Sequence, residues 1–439
     1  MIIHRSWLYF FEVLIMGTKK KLIFCLIMVV LFVGTVFFGS VVETGDGDRG
    51  NNSTQSTEQV VSDVGTEQIT ESVNYPTTEA STVVDITTTE EPDTFAEDTY
   101  GIDQQTYDEL IAMVDSMSVE EKVGQMFFVK NDGRFGASVL EEYPIGGMIL
   151  FAGDIKGKSV VMLDEYLTSF KNATKVPMLI GTDEEGGSVI RLSKYPTFVD
   201  EPYKSPKLLY EEGGYDAIEA DTISKCQTLL GYDINVNFAP VCDISTTPGE
   251  YMYQRTFGET VEETCTYVEL VVTAMKQENM GSVLKHFPGY GGNGDTHTSV
   301  IHDQRPYEEF QNADLLPFKA GIDAGADCVL VSHNVVECMD AQWPASLSEE
   351  VHRILREELG FKGVIITDDL MMSGVSSYLN DEESAVKAVL AGNDMILSTN
   401  YTVQYQAVLD AVNSGEISED IIDESVLRVL IWKRNLGIL

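Results

Sequence analysis

Eight short apolar runs, spread evenly from residue 123 to residue 398, constrain this chain most. They cover residues 123–129, 147–151, 177–182, 234–241, 281–287, 328–333, 364–367 and 395–398. Each is continuously apolar rather than alternating, as expected of strands buried on both faces of a parallel sheet. Helical patterns separate them. Ser118-Val119-Glu120-Glu121 and Thr260-Val261-Glu262-Glu263 read as capping boxes, the first opening a helix just ahead of the first strand. Residues 347–359 and 417–435 read as further helices. Strand then helix, eight times over, predicts an α/β protein with a (β/α)8 barrel. A doubly wound open sheet is the runner-up.

A barrel of this kind puts its chemistry at the C-terminal ends of the strands. Polar residues gather there: Asp183 and Glu184 after strand three, Asp243 after four, and Lys285 and His286 at the end of five. His333 ends strand six, Asp368 and Asp369 end seven, and Ser398 and Asn400 end eight. A set converging after six strands points to an active site rather than a structural rim.

Charge divides the rest of the chain. The 439 residues carry a formal net charge of −41, which disfavours nucleic acid as a partner. Residues 1–42 are net +3 and include an uncharged apolar run, 22–42, behind three lysines. As a helix that run would span roughly 31 Å, enough for a bilayer core. It predicts a retained anchor or a cleaved signal peptide, with the remainder outside the cell: on the outer face of the membrane or secreted. Met16 is an alternative start. Residues 43–100 are net −13, rich in Ser, Thr and acids, and predict a disordered, extended linker. Residues 101–439 are expected to form the barrel domain. The six cysteines lack metal-site spacing and predict small buried hydrophobes rather than a disulfide framework.

The chemistry is read residue by residue. Asp368 ends the run Val364-Ile365-Ile366-Thr367, where a carboxylate is partly desolvated and fixed in direction, as suits a nucleophile. Either Asp368 or Asp369 could cap the following turn; capping is assigned to Asp369 and catalysis to Asp368. Asp295-Thr296-His297 lies in a loop with Gly289, Gly291, Gly292 and Gly294. A histidine there can pass a proton, and a carboxylate two residues away can orient its ring. His302 is a rival in a weaker context. Lys285, Arg191 and Arg255 are donors suited to hydroxyls or a carboxylate, and Asp183 is an acceptor suited to vicinal hydroxyls. Such a set describes a sugar site better than a phosphate site, and no P-loop cradle is present.

At these residues the sequence resembles glycoside hydrolase family 3, in its single-domain β-N-acetylhexosaminidase branch. The stretches that carry the resemblance are Thr182-Asp183-Glu184-Glu185-Gly186-Gly187, Asn237-Phe238-Ala239-Pro240-Val241-Cys242-Asp243, Arg255-Thr256-Phe257-Gly258, Lys285-His286-Phe287-Pro288-Gly289, Pro344-Ala345-Ser346-Leu347-Ser348 and Thr367-Asp368-Asp369-Leu370. The resemblance implies a retaining double displacement, with Asp368 as nucleophile, His297 as general acid and base, and Asp295 orienting His297. It implies sugar contacts from Asp183, Arg191, Arg255, Lys285 and His286. It also implies removal of terminal β-linked N-acetylglucosamine from muropeptides or chitin-like oligosaccharides. Departures are present: Tyr290 stands where a His is common, Ser188 where an Arg is common, and the loop from Lys285 to His297 is one residue short. With 71 residues after Asp368, no second α/β domain is expected.

No cofactor and no metal are expected, and a monomer is expected. A metal-dependent amidohydrolase would need an H-x-H near the first strand, and residues 123–131 hold no His. A family 3 β-glucosidase, a phosphorylase and a non-catalytic surface sugar-binding protein remain as alternatives.

Overall fold

The structure is a computed structural model and describes residues 100–296 and 299–439. The predicted anchor, most of the predicted linker and His297 lie outside the described residues. Among the described residues, no helix is long and apolar enough to cross a membrane.

Eight parallel strands form one sheet: β1 Phe127–Lys130, β2 Gly147–Leu150, β3 Leu179–Thr182, β4 Val236–Asn237, β5 Gly281–Phe287, β6 Cys328–Val331, β7 Val364–Thr367 and β8 Ile396–Ser398. From β1 to β7 each strand pairs with the next, and β1 also pairs with β8. Between β7 and β8 the ladder is reduced to a bridge at Ile366 and Met395, so the barrel closes irregularly there. Helices such as Val160–Ala173, Val261–Gln277 and Tyr401–Ser414 follow the strands and cover the outside.

All eight predicted strands form, though several are shorter than expected. The first expected run began at residue 123, but Val119–Gln125 is helical and β1 starts at Phe127. The capping box decides this: Ser118 Oγ accepts from Glu121 N while Glu121 Oε2 accepts from Ser118 N, so the helix runs through 123–125. The second capping box, Thr260 with Glu263, also forms.

The barrel interior explains the continuous apolar runs. Phe128, Ile149, Leu179, Val236, Phe238, Val283, Leu330, Val364, Ile366 and Leu397 pack inward. Their neighbours Phe127, Val129, Met148, Ile180, Leu284, Val329, Ile365 and Ile396 pack outward under the helices. Each strand therefore has two apolar faces. Gly181 makes room for two inner rings: a Cβ there would lie 2.6 Å from Phe238 and 3.0 Å from Phe128. Val429 and Trp432, on helix Glu419–Asn435, and the following Leu436 join this inner cluster. Trp432 lies beside Gly281 at the start of β5, which plugs the end of the barrel away from the strand C-termini. Cys226, Cys242 and Cys328 are buried, Cys265 is half-buried and Cys338 is exposed; none of these is in a disulfide.

Candidate active site

The loop after β3 supplies three successive acids with three different jobs. Asp183 Oδ1 accepts from Lys285 Nζ at 2.9 Å, and its Oδ2 from Arg191 Nη2 at 3.1 Å. Glu184 turns away and accepts from the backbone N–H groups of Arg191, at 2.9 Å, and Leu192, at 2.8 Å, and from the Ser193 hydroxyl. It thereby folds the loop that returns Arg191 to Asp183. Glu185 Oε1 accepts from Lys285 Nζ at 2.6 Å, and its two oxygens take Arg255 Nε at 3.1 Å and Nη2 at 2.7 Å. Gly186 and Gly187 follow with φ of +98° and +65°. A Cβ on Gly186 would stand 2.1 Å from Lys204 O, so only glycine fits.

Burial alone would raise both carboxyls, but the cations outweigh it. Lys285 and Arg191 hold Asp183 well below the usual carboxylate range. Lys285 and Arg255 bring Glu185 down to about 2. Lys285 itself is 2% exposed, so its position at the end of a buried strand is met by two acids.

His286 lies in the same corner. The register of β5 against β6 shifts between Leu284 and Phe287, so Lys285 and His286 can both face the strand ends. Asp243 Oδ2 sits 2.7 Å from His286 Nδ1 and also accepts the His286 backbone N–H at 3.0 Å. Arg255 Nη2 is 3.2 Å from His286 Nε2. Guanidinium only donates, so Nε2 accepts and Nδ1 carries the hydrogen given to Asp243. Asp243 Oδ1 accepts in turn from Tyr290 N at 2.7 Å.

Asp368 stands across the pocket at the end of β7. Its N–H donates to Val331 O at 3.0 Å, and its Oδ1 accepts from Asp369 N at 2.8 Å. Asp369 is turned away: its carboxylate accepts from Met371 N and from the Thr399 hydroxyl. It caps the tight turn directly after the strand rather than a helix. His333 reaches the backbone beside Asp368. Its Nε2 donates to the Asp369 carbonyl at 3.1 Å, and its Nδ1 lies 2.7 Å from Ser346 Oγ. Ser398 bonds Gln404 and Asn400 bonds Asp381, so neither of these expected rim polars reaches the pocket. His302 is exposed and sits beside Glu337.

One cavity of about 260 Å³ joins these groups. Asp183, Arg191, Arg255, Lys285, His286 and Asp368 line it over an apolar floor of Ile149, Phe238, Leu330 and Leu397. The sequence reading missed Glu185 as an anchor of the cations, although it is the third acid of a motif already singled out. It also missed Phe151 and Tyr251. The Phe151 ring lies under Lys130, at 4.5 Å, and Arg191, at 5.0 Å. The Tyr251 phenol is pushed up to about 12, first by burial and then by Asp295 and Asp368, against the pull of Arg255. Asp295 and Asp368 thus both act on one hydroxyl of the pocket wall. Among the described residues, no cluster of His, Cys, Asp and Glu is arranged to hold a metal ion.

A parallel barrel with a polar pocket at its strand ends, floored by apolar side chains and walled by carboxylates and paired cations, has the architecture of a sugar-cleaving hydrolase. The profile of the Glycosyl hydrolase family 3 N terminal domain matches residues 118–431, and the chain belongs to that family of glycosidases. It is 33% identical over 287 residues to a beta-hexosaminidase of Actinobacillus pleuropneumoniae serotype 3, covering 62% of this chain and 79% of that one. Among solved structures it is similar to a family 3 beta-N-acetylglucosaminidase from Paenibacillus, at 30% identity and a TM-score of 0.68. That match covers 74% of this chain and 63% of the Paenibacillus chain. A Beta-N-acetylhexosaminidase from Beutenbergia cavernae matches at 27% identity and a TM-score of 0.65, covering 72% of this chain and 98% of that one.

Proposed function

We propose that this chain is a retaining β-N-acetylhexosaminidase that removes terminal β-linked N-acetylglucosamine from wall-derived or chitin-like oligosaccharides. The observation that carries the reading is the pocket itself. Charged donors and acceptors already paired with one another line one side, and Asp368 stands on the other. Three cations, Lys285, Arg191 and Arg255, meet three carboxylates, Asp183, Glu185 and Asp368, so the pocket suits a neutral ligand with many hydroxyls. The names of the similar proteins support the N-acetylhexosamine.

In this reading Asp183, Arg191, Arg255, Lys285 and His286 surround one terminal sugar, and Arg255 also fixes His286 and Glu185. An Asp368 oxygen bonds to the anomeric carbon as the bond to the leaving oxygen breaks. His297 gives its proton to that oxygen. Water then attacks the same carbon, His297 takes its proton, and the Asp368 carboxylate is released. Asp295 orients His297. The N-terminal apolar run, as anchor or signal, places the enzyme outside the cell.

A panel of aryl β-glycosides tests this with wild type, Asp368→Ala and His297→Ala. The N-acetylglucosaminide is hydrolysed faster than the glucoside, and Asp368→Ala loses at least about 10³-fold in kcat. Equal rates on the two sugars reject the substrate, and an active Asp368→Ala rejects the mechanism. A sugar phosphate formed in phosphate buffer would turn the assignment to phosphorolysis.

A further inference from the structure

Tyr290 joins the sugar-binding corner to the loop that carries Asp295 and His297. Its backbone N–H donates to Asp243 Oδ1 at 2.7 Å, and its ring meets the His286 ring edge-on with centroids 5.3 Å apart. Its hydroxyl lies 2.5 Å from the hydroxyl of Thr296. Both residues are sealed from solvent, at 2% and 0% exposure. A buried hydroxyl pair keeps its geometry because neither member has water to exchange with. Thr296 is held from a second side: its carbonyl accepts from Gly374 N at 3.1 Å, in the segment after Asp368. Gly374 packs there closely, since a Cβ on it would lie 2.8 Å from His333 Cβ. Thr296 sits between Asp295 and His297 in the chain and so is tied at once to the sugar corner and to the nucleophile's own loop.

We propose that Tyr290 and Thr296 are positioning residues, whose hydroxyl pair sets where Asp295 and His297 are presented to the pocket. The inference rests on the acid/base reading of His297 given above. The pair acts by fixing the backbone at Thr296; the Tyr290 ring also lines the pocket, and a phenylalanine there would keep that wall. Losing the pair should leave sugar binding intact and impair only the step that needs a placed proton donor. That step matters for poor leaving groups and hardly at all for activated ones.

The test is a series of aryl β-N-acetylglucosaminides running from dinitrophenyl to unsubstituted phenyl. Tyr290→Phe and Thr296→Val are each expected to lose about 10-fold or more in kcat on phenyl and under about 3-fold on dinitrophenyl, with KM nearly unchanged. Thr296→Ser keeps the hydroxyl and should keep the wild-type profile. The double variant should lose no more than either single one, because both remove the same bond. A uniform loss across the series, no loss, or additive losses would overturn the proposal. His297→Ala, run alongside, separates the two readings. A steep dependence on leaving group there with flat Tyr290→Phe rejects only the positioning role. A flat His297→Ala rejects the acid/base assignment and this inference with it.

Discussion

The Lys285 ammonium lies 2.6 Å from a Glu185 carboxylate oxygen, and both side chains are almost fully removed from solvent. The same ammonium reaches Asp183 at 2.9 Å. One cation from the end of β5 thus holds two acids from the loop after β3. With Arg191 and Arg255 on the same two acids and Asp368 in the same pocket, three cations meet three carboxylates before any ligand enters.

Removing that cation should be costly in two ways. Lys285→Met leaves Asp183 and Glu185 as close, buried like charges, and the loss in stability should be about 3–5 kcal/mol. Chemical denaturation would measure it. Catalysis should fall with a raised KM, because Asp183 would lose the partner that orients it.

Acid should act on the same cluster. Glu185 is held at about 2, against 4.5 in an unfolded chain. A carboxyl lowered in this way contributes stability that is present above pH 4.5 and is lost as pH falls through about 2. Denaturation midpoints measured from pH 5 down to 2 should fall steadily. Glu185→Gln should start lower and fall less over that window.

Lys433 predicts the alkaline side. It is fully buried, donates to Gln125 Oε1 at 2.6 Å, and burial pushes its ammonium down to about 7. Between pH 7 and 10.5 the unfolded lysine carries a proton that the folded one lacks. Stability should therefore rise with pH in that window, by up to about 1.4 kcal/mol per pH unit. Lys433→Met should flatten this slope and raise the melting temperature near pH 7.

The barrel interior leaves little slack. Gly181→Ala would push a methyl to 2.6 Å from the Phe238 ring and 3.0 Å from Phe128, both enclosed. The expected loss is about 1–3 kcal/mol, read by thermal unfolding. Because Phe238 also lines the pocket, KM should shift with it.

Much of the fold was legible because a barrel strand is apolar on both faces, so each one prints a run. The boundaries were less so. The run from 123 to 129 holds the end of a helix and the start of a strand. Both bury apolar residues, and only the Ser118–Glu121 capping box separates them. Asp183, Arg191, Arg255, Lys285, His286 and Asp368 could be picked out because each follows a strand or sits in a charged motif. Glu185 and Tyr251 could not, since their roles depend on neighbours 70 or more residues away, or on a shared carboxylate field.

The amino-acid sequence alone determined the order of strands and helices, the ends of the strands at which polar residues gather, and the family. Those properties are written in periodicity and local motifs. Tertiary structure alone decided which acid pairs with which cation, which tautomer His286 adopts, and that Glu184 and His333 shape backbone while Glu185 anchors charge. It also brought Tyr290 onto Thr296. The reason is physical: burial removes water as a partner, so each polar group is defined by whichever distant residue the barrel places within hydrogen-bond reach.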